Sequence, residues 1–599
     1  MKKIVSIGNQ GFEDIRINDN FYVDKTAFIK EWWEARDIVT LITRPRRFGK
    51  TLNMDMLKCF FSNKYAGRQD LFEGLSIWEE EKYRKLQGEY PVISLSFADV
   101  KQTNYIDAVK MIKFIISDAF REYRDIMQSD RFTETDRQRF EMVNPTMDDV
   151  TAQRALKELG GYLETYYGRK VILFLDEYDT PMQEAYVGGY GDEFTAFIRS
   201  LFNSTFKTNP YLERAIMTGV TRVSKDMSYP CQGYDLRPHQ RASFFESIFS
   251  DLNNLKVITT TSNCYEQCFG FTEPEVFEAL DSFGLSSQKQ AVKQWYDGFI
   301  FGNHKDIYNP WSITNFLGEQ KLKAYWAATS SNHLVDRIIR TASSEVKEQM
   351  EDLLEGKEVV VTFDEQIVFN QLEQNESAIW SLLMASGYLK PEQVEYRGEL
   401  MKPWYHLKIT NLETRVMFFE MFAGWFQNKD ASYSHFMQAL VQDDLEAMNY
   451  FMNRMTNATF SYFDVGGDGY QQPEKFYHGF VLGLMAEQTE NYVIKSNRES
   501  GFGRYDIMML PKKEALPGII MEFKVRSSRK EKSLEETVGA ALQQIKERNY
   551  DAELLSLGIP EERIRHYGFA FDGKNVLIGS DGENIHCLLY TSDAADDRI

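Results

Sequence analysis

The most constraining stretch of this chain is Val171-Ile172-Leu173-Phe174-Leu175, five consecutive apolar residues that run into Asp176-Glu177-Tyr178-Asp179. A strand with one wet face alternates apolar and polar residues, so an unbroken apolar run needs cover on both faces. A parallel sheet flanked by helices provides that cover. The carboxyl ends of its strands open onto the ligand crevice, so this run would deliver a cluster of acids there. The competing reading is a core strand followed by a solvated acidic turn.

A second buried strand is expected at Ile38-Val39-Thr40-Leu41-Ile42. It is followed by TRPRRFGKT (Thr43 to Thr51) and then by Leu52 to Phe61, where apolar residues recur at helical spacing without Pro or Gly. Strand, loop ending in Gly49-Lys50-Thr51, and helix make the layout of a phosphate-binding P-loop. The helix N-terminus offers free N–H groups and positive dipole to phosphate oxygens. Lys50 would reach the β- and γ-phosphates, and the Thr51 hydroxyl would ligate Mg²⁺. Arg44 stands where the pattern G-x-x-x-x-G-K-[ST] has its first glycine. Pro45 is expected to fix part of the turn instead, with Arg44, Arg46 and Arg47 adding positive charge toward the phosphates. By itself the loop reads equally as an Arg/Pro surface loop ahead of an ordinary helix. The acidic run at Asp176 tips the balance, because two motifs must then coincide in the right order. Asp176 is expected to hold Mg²⁺ through water and Glu177 to orient the attacking water. A further strand, Arg214 to Arg222, makes Arg222 the candidate γ-phosphate sensor, set against a plain surface salt bridge.

A second constellation lies near the C-terminus. Pro473 to Gly479 opens a helix, Tyr492 to Ile494 forms a short strand, and Gly501 and Gly503 make a turn. Asp506 then starts the strand Ile507 to Leu510, and Glu522-Phe523-Lys524 ends an apolar strand. Period-2 alternation puts Glu522 and Lys524 on one face and Phe523 on the other. Two carboxylates and an ammonium at one point are poorly explained by folding alone, since buried charge is costly unless paired or metal-bound. The alternative for E-x-K alone is an edge-strand salt bridge.

At 599 residues the chain calls for three or four domains, and its 43% hydrophobic and 14% aromatic content is that of a packed protein. The net charge of −20 excludes non-specific coating of nucleic acid, so any such contact needs a local basic patch. Arg498, Arg504, Arg526, Arg529, Lys530 and Lys532 flank the second constellation and offer one, with a solvated loop as the equal alternative for the 526–532 run. Five scattered cysteines complete no zinc site, there is no sustained apolar run at the N-terminus, and no run approaches a membrane helix in length. A cytoplasmic protein is expected.

Taken in order, YVDKT (22–26), RPRRFGKT (44–51), FLDEYD (174–179), TGVTR (218–222), WYDGF (295–299) and YNPWS (308–312) resemble the AAA-ATPase-like family commonly fused to a PD-(D/E)XK nuclease domain. The likeness runs from about residue 10 to 586 and departs at 226–245, where DMSYPCQGYDLRPHQRASFF is inserted beside the sensor candidate. It implies that D-x(15)-E-x-K is the nuclease arrangement. Asp506 and Glu522 would bind Mg²⁺, Lys524 would act on the water, Gln544 would support the site, and Glu474 would be a third acidic ligand. The expected fold is α/β multidomain. An AAA-like P-loop domain (1–258) is followed by a helical lid or winged-helix-like domain (259–345), a helical connector (346–450) and a restriction-endonuclease-like domain (451–586). Residues 587–599 read as an adapter-derived tail, or else as a flexible acidic one. The expected function is ATP binding and hydrolysis with Mg²⁺-dependent cleavage of nucleic acid, DNA in the first instance, in defence or mobile-element biology. A homo-oligomer is left open. The rival readings are a nucleotide-gated switch or scaffold whose nuclease fold only binds, and an ATPase acting on protein partners.

Overall fold

The structure is a computed structural model and describes residues 3–221, 223–227, 244–249, 251–326, 333–354, 356–363, 365, 367–368, 376–399, 401–426, 432–459, 481, 491–500, 503–513, 516–527, 531–572 and 575–581. The chain divides into two compact units, residues 1–342 with 358–415, and residues 343–357 with 416–599. Arg222, Glu474, most of the 226–245 insertion and the tail from 582 lie outside the described residues.

The first unit is built on the expected parallel sheet. Its strands are β1 (Val39–Thr43), β2 (Val92–Ser96), β3 (Val171–Asp176), β4 (Leu212–Gly219) and β5 (Leu255–Ile258), in the order β2-β3-β4-β1-β5. Every pairing in it is parallel. All residues of β1 and β3 are buried, as an apolar run without alternation requires. Helix α1 (Lys50–Phe61) packs on β3, and the helices Tyr105–Arg121 and Asp149–Tyr167 pack on β2 and β3. Chain order along the sheet reverses at β1, with β4 on one side and β5 on the other. The carboxyl ends of β1, β3 and β4 therefore flank the crevice where doubly wound sheets bind ligands.

Beyond β5, the span expected as a helical lid or winged-helix-like domain holds both strands and helices. Phe271–Thr272, β6 (Asp297–Phe301) and β7 (His304–Tyr308) form a three-stranded antiparallel sheet. Three helices surround it: Glu273–Ser282, Lys289–Tyr296 and α2 (Pro310–Glu319). The first of these opens on a capping box of Thr272 and Glu275, with the Thr272 N–H donating to the Glu275 carboxylate at 2.7 Å. Its aromatics form core: Phe271, Tyr296, Tyr308 and Phe316 share one hydrophobic cluster.

The expected helical connector also carries a sheet. Val359–Val361, Leu389–Arg397 and Lys402–Ile409 pair antiparallel. The alternation around Val394 and Tyr396, with a turn at Gly398, was a hairpin signal outweighed by the neighbouring helical periodicity. The strands 223–227 and 244–247, which bracket the insertion, pair antiparallel with each other.

The second unit is a five-stranded mixed sheet of β8 (Tyr492–Ser500), β9 (Gly503–Pro511), β10 (Gly518–Val525), β11 (Ile564–Asp572) and β12 (Asn575–Ser580), in that order. Only the β10–β11 pairing is parallel. Alternation divides its core in two. Ile507, Met509, Ile519, Met521 and Phe523 face helices α3 (Ser432–Gln442) and α4 (Leu445–Thr459) through Phe436, Leu440, Met448 and Met452. Met508, Leu510 and Ile520 face α5 (Leu534–Glu547) through Val538, Leu542 and Ile545. The boundary expected at 450/451 thus falls inside α4, a helix that packs on this sheet.

Candidate functional site

Lys50 opens α1 directly after Gly49, whose φ of 80° is left-handed backbone that glycine adopts without strain. Lys50 is buried, and its Nζ donates to the carbonyls of Arg44 at 2.9 Å and Pro45 at 2.8 Å, inside the curl of its own loop. Burial pulls its pKa down, against the opposing pull of Glu177, Asp176 and Asp179. Next to it the Thr51 hydroxyl donates to Asp176 Oδ2 at 2.6 Å, joining segments 125 residues apart in sequence. Asp176 also accepts from the Thr218 hydroxyl and, at 3.1 Å, from the Glu177 N–H. Glu177 has a left-handed φ of 51° and accepts from the Thr180 hydroxyl at 3.1 Å. Left-handed backbone is uncommon for a residue with a side chain, and it aims Glu177 away from the strand direction. The structure therefore gathers Gly49, Lys50, Thr51, Asp176 and Glu177 at the carboxyl edge of the sheet.

The three arginines of the loop part company. Arg44 does not face the loop mouth as expected. It is fully buried, and its guanidinium donates to the carbonyls of Thr43 (2.9 Å), Thr259 (2.7 Å) and Cys264 (3.2 Å). It also stacks over the rings of Phe301 at 4.7 Å and Phe269 at 5.7 Å. The physical reason is the set of carbonyls that the turn after β5 aims at this position, a set only a multi-donor side chain can satisfy. Burial lowers its pKa to about 10. The Arg47 guanidinium sits over the Trp311 ring, 3.8 Å from its centroid. Arg46 reaches Gln183 Oε1 at 3.2 Å, while its carbonyl accepts from Trp326 Nε1 at 3.0 Å and Asn309 Nδ2 at 3.4 Å.

The β6–β7 subdomain thus grips the loop from below. Phe48 packs on Phe299 and Phe301, with ring centroids 4.7 and 5.3 Å apart. A Cβ at Gly387 would come within 2.8 Å of Pro45. Glu413, fully buried, fixes this clamp by accepting from the Ser312 hydroxyl at 2.8 Å and from the N–H groups of Tyr325 and Trp326, each at 2.6 Å. The motifs at 295–299 and 308–312 had no assigned task from sequence; they seat the loop.

Sequence reasoning also passed over Asp179. It is buried, and one carboxylate oxygen accepts from Val220 N (3.0 Å), Thr221 N (2.8 Å), Thr221 Oγ1 (2.9 Å) and Gln183 Nε2 (3.2 Å). Gly219 is required beside it, since a Cβ there would stand 2.6 Å from Asp179 Oδ1. Its place at the end of FLDEYD, three residues past Asp176, was the available signal.

In the second unit, the β9–β10 ladder reaches Ile507↔Met521, which places Asp506 across from Glu522. Asp506 Oδ2 accepts from the Phe523 N–H at 2.7 Å. Glu522 is 3% exposed and Phe523 packs to the opposite face, as the alternation predicts. Gln544 of α5 joins the pair: its Nε2 donates to Glu522 Oε1, and its Oε1 accepts from Lys524 Nζ at 2.7 Å. The same Nε2 lies 3.2 Å from the Tyr550 hydroxyl, a residue not foreseen. Asp506, Glu522, Lys524 and Gln544 are therefore one cluster. Of the flanking basic residues, Arg526 is tied to Asp572 by ion pairing at 2.6 Å.

A third acidic group, Glu273, Asp297 and Asp306, has the Lys293 ammonium among it, 3.7 Å from each aspartate. It is an ion-pair cluster of the β6–β7 subdomain.

Residues 6–227 match the AAA-ATPase-like family, described as predicted AAA-ATPase, and residues 472–581 match the PD-(D/E)XK nuclease superfamily. The chain is also similar to an uncharacterized protein of the vnfD 5′ region of Azotobacter chroococcum mcd 1. The two are 24% identical over 567 residues, covering 93% of this chain and 95% of that one. The chain therefore carries a predicted AAA-ATPase domain and a C-terminal PD-(D/E)XK nuclease superfamily domain, the pair that the sequence motifs resemble. Among the described residues, no helix is long and apolar enough to cross a membrane.

Proposed function

We propose that this protein binds and hydrolyses ATP at the loop of residues 44–51 and cleaves nucleic acid, DNA in the first instance, at Asp506, Glu522 and Lys524. The observation that carries the reading is the 2.6 Å contact between Thr51 and Asp176, which brings a hydroxyl and a carboxylate together beside Lys50 at the open edge of the parallel sheet. Lys50 Nζ, which donates to the loop carbonyls of Arg44 and Pro45, would exchange those carbonyls for phosphate oxygens. The hydroxyl-and-carboxylate pair fits a hard divalent cation, and Mg²⁺ bound there would neutralise phosphate charge. Glu177 holds the attacking water, and Arg222 senses the γ-phosphate.

In the second unit the donor pair again fits Mg²⁺: Asp506 and Glu522 would supply oxygen ligands, and Glu474, outside the described residues, would be the third acid that the family likeness implies. When bound, the ion lowers the pKa of a coordinated water and offsets charge on the phosphodiester. Gln544 orients both Glu522 and Lys524, so the Lys524 ammonium is held where it can position the water and stabilise developing charge.

Variants at each of the two sites test this reading. Lys50→Ala should abolish ATP binding, whereas Glu177→Gln should keep binding and lose hydrolysis. Lys524→Ala should retain metal binding by calorimetry and lose cleavage of DNA or RNA with Mg²⁺, and Asp506→Ala should lose both. Wild type that holds nucleic acid and cuts none with Mg²⁺ or Mn²⁺ points instead to a binding-only fold in a nucleotide-gated switch.

A further inference from the structure

Arg46 differs from its neighbours in the loop. Arg44 is enclosed by carbonyls and Arg47 is stacked on Trp311, but the Arg46 guanidinium reaches across to Gln183 Oε1 at 3.2 Å. Gln183 lies on the helix Thr180–Val187, one turn beyond Asp179, and donates to Asp179 Oδ2 at 3.2 Å. That same oxygen carries Val220 N, Thr221 N and the Thr221 hydroxyl. A continuous polar chain therefore runs from the loop that curls round Lys50 to the end of β4. At the loop end the Arg46 carbonyl accepts from Trp326 and Asn309.

We propose that Gln183 and Asp179 are a positioning relay that reports phosphate in the loop to residues 219–221, immediately before Arg222. The proposal rests on the nucleotide-site reading above. The two ends of the relay differ in kind. Arg46 bonds a neutral amide oxygen, and a phosphate group offers it a stronger, charge-assisted and bidentate partner. Asp179 bonds backbone N–H groups next to Gly219, where there is no room for a side chain. Phosphate binding therefore exchanges the partner at one end and keeps it at the other. Gln183 loses the bond that fixes its amide plane, and the Asp179 carboxylate follows it, taking the Val220–Thr221 backbone along. Asp179 and Gln183 touch neither nucleotide nor water in this scheme.

The test uses the full chain with Gln183→Ala, and with Gln183→Asn, which is one methylene too short to span Arg46 and Asp179. Both should bind ATP with a Kd within about twofold of wild type and melt at the same temperature. Their kcat should fall about tenfold, equivalent to about 1.4 kcal/mol. Hydrogen exchange at the Val220 and Thr221 amides should change on adding MgATP in wild type and stay unchanged in both variants. A wild-type kcat and exchange response in Gln183→Ala overturns the relay and leaves the ATPase reading standing. Weaker ATP binding with kcat intact also overturns the relay, because it marks a plain structural role. Wild type that neither binds nor hydrolyses ATP overturns the nucleotide-site reading, and the relay with it.

Discussion

Arg44 replaces a glycine of the common phosphate-loop pattern, and its guanidinium serves the carbonyls of Thr43, Thr259 and Cys264 in a dry site. Buried acceptors left without donors cost about 1–3 kcal/mol each. Arg44→Gly, which restores the common pattern, should therefore destabilise the first unit by roughly 3 kcal/mol or more. Arg44→Lys should recover only part of this, because one ammonium cannot match a planar fork whose donors reach two separate segments. Thermal melting reads the difference. A glycine variant as stable as wild type, with tighter ATP binding, would show that the carbonyl cage contributes little and that the guanidinium crowds the phosphates. The carbonyls at 259 and 264 lie 215 and 220 residues from Arg44, so no local pattern could have revealed them.

At the scale of elements, what was legible in sequence is what periodicity alone determines. The unbroken runs of β1 and β3 required burial on both faces, and E-F-K alternation put Glu522 and Lys524 on one face whatever covered it. The cover itself was not legible. The apolar stripes of α3 and α4 announce burial but not against which sheet, so these helices read as connector though they pack on the second unit's strands. The β6–β7 hairpin is the other case: Phe299 and Phe301 pack on Phe48, in a loop about 250 positions earlier in the chain. That hairpin also carries a titrating group. Burial, then the hydrogen bond and charge of Asp306, push the Asp297 carboxyl up from 3.8 to about 7. A carboxyl with a raised folded-state pKa holds its proton better when folded. The stability it contributes is present below about pH 4 and is lost as pH climbs through about 7. Asp297→Asn should therefore gain on wild type in melting temperature as pH rises from 5 to 8. A constant gap across that range would mean that Lys293 already balances the charge.

At the scale of the whole molecule, one chain holds both candidate sites and passes between its two units three times, at 342/343, 357/358 and 415/416. We hypothesise that the nucleotide state of the first unit governs cleavage by the second. A ligand can shift such an equilibrium only by its differential affinity for two states, so ATP and ADP must favour different ones. Cleavage by the full chain should then differ among ATP, ADP and no nucleotide, and a tenfold difference would correspond to about 1.4 kcal/mol of coupling. Lys50→Ala should fix the rate at its nucleotide-free value whatever is added. Glu177→Gln, binding ATP without turning it over, should hold the rate at its ATP-bound value instead of letting it decay as ATP is consumed. The two variants therefore separate a switch set by binding from a cycle driven by hydrolysis. Equal cleavage rates in wild type under all three conditions, with Lys50→Ala matching them, would mean that the two sites share a chain and nothing more.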